Sequence, residues 1–245
     1  LEKRFPVNPK STGLVSFDTP GLVLSMHVRY DVEKGILQLD QRNAIVALAE
    51  KTGITKSPPR SLPIVETTVL PKLEKAEVSQ TEYLSIVGSC LHICQVSRPD
   101  CAYAIGVLSR HSATPGKVHL EAAKDLVKYL YGTRDWYIEY TRSSTGNSPI
   151  IYEKGEEVEP VKPRTIEERL QASTPSSHPN SADLYIDADF AGDKVTRRST
   201  SGMIVMMNNG PISWSSRLQK LVAQSSAESE IYAVTDSVKE AIHIK

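Results

Sequence analysis

The 245-residue chain is 40% hydrophobic and 24% charged, and its 29 Lys+Arg balance its 29 Asp+Glu. That composition suits a globular protein, and the zero net charge gives no global argument for a nucleic-acid or membrane partner. No run approaches the roughly 18 apolar residues of a membrane span. The start, "LEKRFPVNPK", has no signal-peptide shape and no initiator Met, which leads us to expect a fragment. Cys90, Cys94 and Cys101 are odd in number and clustered. They point to a reducing, intracellular compartment rather than a disulfide framework.

Taken in chain order, "VLSMHVRYDV" and "ILQLDQ" alternate around Gly35 and predict a β-hairpin. In "QRNAIVALAEKTG" Ile45, Leu48 and Ala49 share a helical face, and Gly53 suits the C-terminal cap. The Pro-rich "SPPRSLP" then reads as an extended connection.

Residues 79–133 read as three helices in a compact bundle. The first opens on a capping box, Ser79 with Glu82, followed by Leu84, Val87, Leu91 and Ile93. Cys90 and Cys94 share one of its faces. A metal needs further ligands that no CxxC or HExxH pattern supplies, so core packing is expected. The second helix starts at "SRPD", with Ser97 as its cap and Pro99 in its first turn. The third is expected to be capped by Thr114, with Val118, Ala122, Leu126, Val127 and Leu130 as its stripe. "WYIEY" alternates like a strand.

Residues 143–181 are rich in Pro, Ser and Glu and poor in apolar residues, and predict a disordered linker, with a short helix at "TIEERLQ". A second domain is expected from about residue 182. It holds a strand, "ADLYIDADF", then two strands around Asn208-Asn209-Gly210, then a helix capped by Ser225 or Ser226. The expected buried stripe of that helix is Ile231, Val234, Val238 and Ile242. The fold class is thus α+β: a helical bundle joined by a linker to a small domain of three strands and a helix.

"LYIDADFAGD" carries Asp187, Asp189 and Asp193. As a calcium loop it fails, because Ala191 and Arg198 stand where ligands are needed. As an acidic turn it needs no ligand. As half of a two-metal site it needs acids from another element. The final helix offers Glu228 and Glu230, which lie about 90° and about 70° from the centre of the apolar stripe. Periodicity slightly prefers Glu230 without deciding. Arg197 and Arg198 either meet substrate phosphates or offset these acids. Trp214 alternates with Ile212 and reads as core.

The run "YIDADFAGD…RRSTSGMIVMMNNGPISWSSRLQKLVAQSSAESEIYAV" resembles the start of the ribonuclease H domain of copia-type retrotransposon polyproteins. "YLSIVGSCLHICQVSRPDCAYAIGVLSRHSATPGKVHLEAAKDLVKYLYGTRDW" is similar to the segment just upstream in that family, which includes the reverse transcriptase thumb. The resemblance implies residues 1–142 as the back of reverse transcriptase, 143–181 as linker and 182–245 as a partial ribonuclease H domain. It implies Asp187 and Glu230 as catalytic metal ligands, magnesium as the cofactor, and an RNA–DNA hybrid and the rest of the polyprotein as partners. The chain has no Tyr-x-Asp-Asp turn, and the family's later acids would fall beyond Lys245. Both active sites are therefore expected to be incomplete. A non-catalytic nucleic-acid binder is the other reading, with Lys117, Lys124 and Lys128 on the third helix facing phosphates. The acids Glu121 and Asp125 interleave with them.

Overall fold

A computed structural model describes residues 21–23, 25–65, 70–141 and 182–244. The expected linker, with its "TIEERLQ" helix, lies outside the described residues. The architecture is α+β, with two antiparallel sheets and five α-helices among the described residues. None of these helices is long and apolar enough to cross a membrane.

The first sheet has the order β1 (Gly21–Val23), β2 (Met26–Asp31), β3 (Ile36–Asp40), β4 (Ile138–Thr141). The hairpin expected around Gly35 is β2–β3, and Gly35 adopts the left-handed φ of 66° that the turn requires. His27 and Asp40 pair across it, Nδ1 to Oδ1, at 2.8 Å. Burial alone would raise the Asp40 pKa, but hydrogen bonds from His27, Arg42 and Arg29 outweigh it and hold the carboxyl low. β4 closes the sheet on β3, with Ile36 opposite Thr141.

Four helices form the main core: α1 (Arg42–Lys51), α2 (Gln80–Val96), α3 (Ala102–Ser109) and α4 (Lys117–Gly132). In α1 the expected face is the buried one: Ile45, Leu48 and Ala49. In α2 Ser79 accepts from Glu82 N, as its capping box predicts. Its core face is Tyr83, Ile86, Val87, Cys90, Ile93 and Cys94, so Leu84 points outward instead. Cys90 and Cys94 are buried free thiols, as the packing reading expects, and Cys101 is one too. Burial pushes the Cys90 thiol up; a hydrogen bond with Cys94, then burial, does the same for Cys101.

Two expected caps are corrected. Ser97 Oγ donates to the buried Gln41 Oε1 at 2.9 Å rather than capping the next helix. A 3-10 turn, Pro99–Cys101, leads into α3 instead. Thr114 Oγ1 donates to Leu73 O, and Gly116 is the residue that opens α4. Its N–H donates to His119 Nδ1 at 2.7 Å, which carries His119 into the core while Val118 is exposed. A polar residue at the head of the stripe thus does a capping task, while further along Leu126, Val127 and Leu130 are buried as the periodicity predicts and Ala122 is partly buried.

Around the 3-10 turn lies a buried charge. Arg98 makes a bidentate pair with Asp100, Nε to Oδ1 at 2.9 Å and a terminal nitrogen to Oδ2 at 2.7 Å. It also donates to Thr133 O and Oγ1 and lies 5.3 Å and 5.2 Å from the ring centres of Tyr129 and Trp136. One cation therefore ties α4 to the start of α3.

The second sheet has the order β5 (Asp183–Ala188), β6 (Thr200–Met207), β7 (Gly210–Leu218), with α5 (Ser226–Ile244) across one face. Asn208 and Asn209 both take positive φ, 51° and 64°, forming the two-residue turn that matches strand twist. The α5 stripe is corrected. Ile231, Val234, Val238 and Ile242 are exposed, and the helix meets the sheet through Ser229, Ala233 and Ser237. Three small residues one turn apart allow close approach, so the bulky stripe is left on the far side.

Candidate functional site

The three aspartates at the end of β5 and in the β5–β6 connection have different surroundings. The Asp189 N–H donates to Thr200 O at 3.1 Å, and its carboxylate accepts from Thr200 N. That carboxylate fills the space a Cβ on Gly192 would occupy. Asp189 therefore closes the connection and leaves Gly192 no room for a side chain.

Asp193 is held more fully. Its Oδ1 accepts from Val195 N at 3.0 Å and Thr196 N at 2.7 Å, and its Oδ2 accepts from Arg110 at 3.0 Å. Burial alone would raise its pKa; the hydrogen bonds from Thr196 and Val195 and the Arg110 charge outweigh it and hold the carboxyl low. Ala191 and Arg197 take left-handed φ values of 54° and 57° to make this tight loop. Asp187 is exposed, and among the described residues its carboxylate has no hydrogen bond or ion pair.

The two glutamates of α5 also separate. Ser225 Oγ accepts from Glu228 N at 3.1 Å, while the Glu228 carboxylate accepts from Gln224 N at 2.7 Å and from Tyr232 OH. Glu228 is the reciprocal partner of a helix cap. Glu230 is exposed and outside that arrangement.

Register places these groups relative to one another. Asp187 pairs with Gly202, which pairs with Ser216. Tyr185, Ile204 and Trp214 form the next row on the same face. Trp214 turns toward α2, where its Nε1 donates to Cys94 O at 2.8 Å. The opposite face carries Ser213, whose Oγ donates to Glu240 of α5. Gln219, just after β7, bridges Ser201 Oγ and Ser229 O, so α5 starts at the sheet end that carries Asp187. Asp187 and Glu230 thus share one end of the sheet, but the pleat does not turn Asp187 toward α5.

Among the described residues no group of three or more His, Cys, Asp or Glu side chains is arranged to hold a metal ion. A two-metal centre needs carboxylates around both ions. Asp187 and Glu230 alone do not fit that requirement.

The basic candidates are dispersed. Lys128 is engaged by Asp125 at 2.8 Å, and Arg60 reaches the other oxygen of the same carboxylate at 2.7 Å. Lys117 is exposed and Lys124 partly buried on α4. Arg197 and Arg198 form no ion pair with the nearby aspartates among the described residues; the balancing cation is Arg110, 83 positions from Asp193 in sequence. No local pattern announces that partnership.

The chain is 32% identical over 242 residues to the "Retrovirus-related Pol polyprotein from transposon TNT 1-94" of Nicotiana tabacum, covering 94% of this chain and 16% of that one. It is 33% identical over 205 residues to the corresponding protein from transposon RE1 of Arabidopsis thaliana, covering 83% of this chain and 12% of the relative. It is also 34% identical over 160 residues to "Secreted RxLR effector protein 161" of Plasmopara viticola, covering 65% of this chain and 89% of that protein. No family model and no solved structure matches. The chain spans a small part of the Pol polyproteins it matches, and it belongs to the family of copia-type retrotransposon Pol polyproteins.

Proposed function

We propose that this chain is the segment of a Pol polyprotein that joins the back of a reverse transcriptase to the front of a ribonuclease H domain. In this reading residues 1–142 are the polymerase-derived part, 143–181 the linker and 182–245 the ribonuclease H part. Asp187 and Glu230 contribute to a site that cleaves RNA in an RNA–DNA hybrid. Magnesium would supply charge neutralisation at the phosphodiester, held with further carboxylates from the rest of the polyprotein. The segment works in a reducing, intracellular compartment, a reading supported by three unpaired cysteines.

The observation that carries this reading is the free carboxylate of Asp187 at the end of β5, beside a loop that engages the other two aspartates. Asp189 and Asp193 are bound by backbone donors, whereas Asp187 and Glu230 are exposed at one end of the sheet. The binding-remnant reading has less support, since Lys128 is neutralised by Asp125. The test is magnesium-dependent hydrolysis of a labelled RNA–DNA hybrid. This chain alone is expected to show no turnover above background. In the intact polyprotein, Asp187→Asn and Glu230→Gln are each expected to abolish RNA cleavage. Full cleavage by both variants would remove the assignment; turnover by the isolated chain that disappears in Asp187→Asn would remove the incompleteness.

A further inference from the structure

A cavity of about 320 Å³ lies between α3 and the β5–β6 connection, and Asp187 is not among its lining residues. That volume is at the lower end of small-molecule sites, which run roughly 300–1,000 Å³. Leu70, Val107 and Leu218 give it an apolar lining, and Tyr103 adds a ring that is 43% exposed. Its charged lining residues are Lys72, Arg110, Lys194 and Asp193.

The charges do not cancel. Asp193 is the one acid of the lining, and its oxygens are taken by Arg110 and by the N–H groups of Val195 and Thr196. Arg110 and Asp193 neutralise each other. Lys72 and Lys194 remain, exposed and without an ion pair among the described residues. The cavity therefore carries two uncompensated ammonium groups beside an apolar floor and a tyrosine ring. His111 adds a polar group to the same wall. An inorganic anion would leave the apolar floor unused, and a neutral hydrocarbon would leave the two ammoniums unused. A ligand that satisfies both is small, anionic and carries a flat ring.

We propose that this cavity binds a single phosphate-bearing nucleotide, with the base against Tyr103, Val107 and Leu218 and the phosphate between Lys72 and Lys194. The nucleotide comes either from solution or from the phosphorylated end of a strand. None of its lining residues is Asp187 or Glu230, so the two sites use different side chains.

The test is calorimetric titration of the full chain with adenosine monophosphate, adenosine and inorganic phosphate. Saturable one-to-one binding of the nucleotide is expected, with adenosine and phosphate each at least ~10-fold weaker, since a charge-assisted hydrogen bond is worth about that much. Lys72→Ala combined with Lys194→Ala is expected to weaken nucleotide binding at least ~10-fold without altering the thermal unfolding midpoint, because both side chains are exposed. Lys194→Arg should retain it. A 5′-phosphorylated oligonucleotide that binds with the same lysine dependence identifies a strand end as the source; binding by the free nucleotide alone identifies a soluble one. Absence of saturable nucleotide binding, equal affinity for adenosine, or unchanged affinity in the double lysine variant would overturn the proposal.

Discussion

The indole of Trp214, in the middle of β7, donates to the carbonyl of Cys94 in α2 across 2.8 Å and 120 sequence positions. That bond fastens the second sheet to the helical core. It has company at the hairpin tip, where Thr141 N donates to Asn208 O at 2.9 Å and Tyr140 OH to Pro211 O at 2.7 Å. Gly210 allows this approach, since a Cβ there would lie 2.8 Å from Glu139 O and against the Tyr140 ring.

Removing the indole donor should therefore loosen the seam. Trp214→Phe keeps an aromatic ring but leaves the Cys94 carbonyl without this partner, a change worth about 1–3 kcal/mol. Urea unfolding should show the lower midpoint. Limited proteolysis should release the segment after residue 182 faster than in the parent. An unchanged midpoint with unchanged proteolysis would mean that the bond contributes nothing to docking.

Arg98 and Asp100 make a second prediction, with a pH signature. Burial alone would lower the Arg98 pKa and raise that of Asp100; their bidentate hydrogen bonds and mutual attraction reverse both. A carboxyl with a depressed folded-state pKa gives stability that is complete above its unfolded value, near 3.9. That stability is lost as pH falls through the folded value. Asp100→Ala should cost about 3–5 kcal/mol at neutral pH, because it strands a guanidinium that is only 1% exposed. Denaturation below about pH 4 should be less steep in that variant than in the parent. Measured unfolding free energies at pH 7 and pH 3 decide both points.

His111 titrates in a different window. Its ring stacks on His119 with centroids 4.0 Å apart. Burial, then the charges of His119 and Arg110, push its pKa down to about 4, against a smaller opposing pull from Asp193. The unfolded chain takes up this proton near pH 6.5, the folded chain only near pH 4. Stability is full above the higher value and falls as pH drops between the two, by on the order of 1–3 kcal/mol. His111→Gln should flatten the loss between pH 7 and pH 4.5. A parent chain with equal unfolding midpoints at those two values would refute the assignment.

Legibility followed the locality of the interactions. The β2–β3 hairpin, the β6–β7 turn and the Ser79 cap rest on contacts within a few residues, and the buried face of α1 on a regular apolar spacing, so periodicity and turn chemistry reach them. The seam through Trp214 and Cys94 joins positions 120 apart, and the Arg110–Asp193 pair joins positions 83 apart. Nothing in the local pattern encodes either. At the acidic loop, spacing left three readings open. The structure shows which carboxylates accept from backbone N–H groups: those of Asp189 and Asp193, but not that of Asp187. Periodicity held along most of α4, where Leu126, Val127 and Leu130 are buried, and failed only at its head, where His119 rather than Val118 enters the core. It misled at α5, where it marks the most apolar face, whereas packing selected small residues.

The reversed face of α5 gives the last prediction. In most amphipathic helices polar substitution of the apolar stripe is severe, because each large side chain contributes about 1.5–3 kcal/mol by burial. Here Ile231 and Ile242 are 64% and 66% exposed, so that burial is largely absent. Ile231→Lys with Ile242→Lys should change the unfolding free energy by no more than about 0.5 kcal/mol, the range of ordinary surface substitutions. It should also raise solubility, since a row of exposed aliphatic side chains favours association. The opposite holds for Ala233, which is fully buried where α5 meets the sheet. Ala233→Leu forces the helix away from β5 and β6 and should cost about 1–3 kcal/mol. If instead the double lysine variant unfolds easily and Ala233→Leu is neutral, α5 docks on the sheet through its aliphatic stripe, and the orientation described for it is wrong.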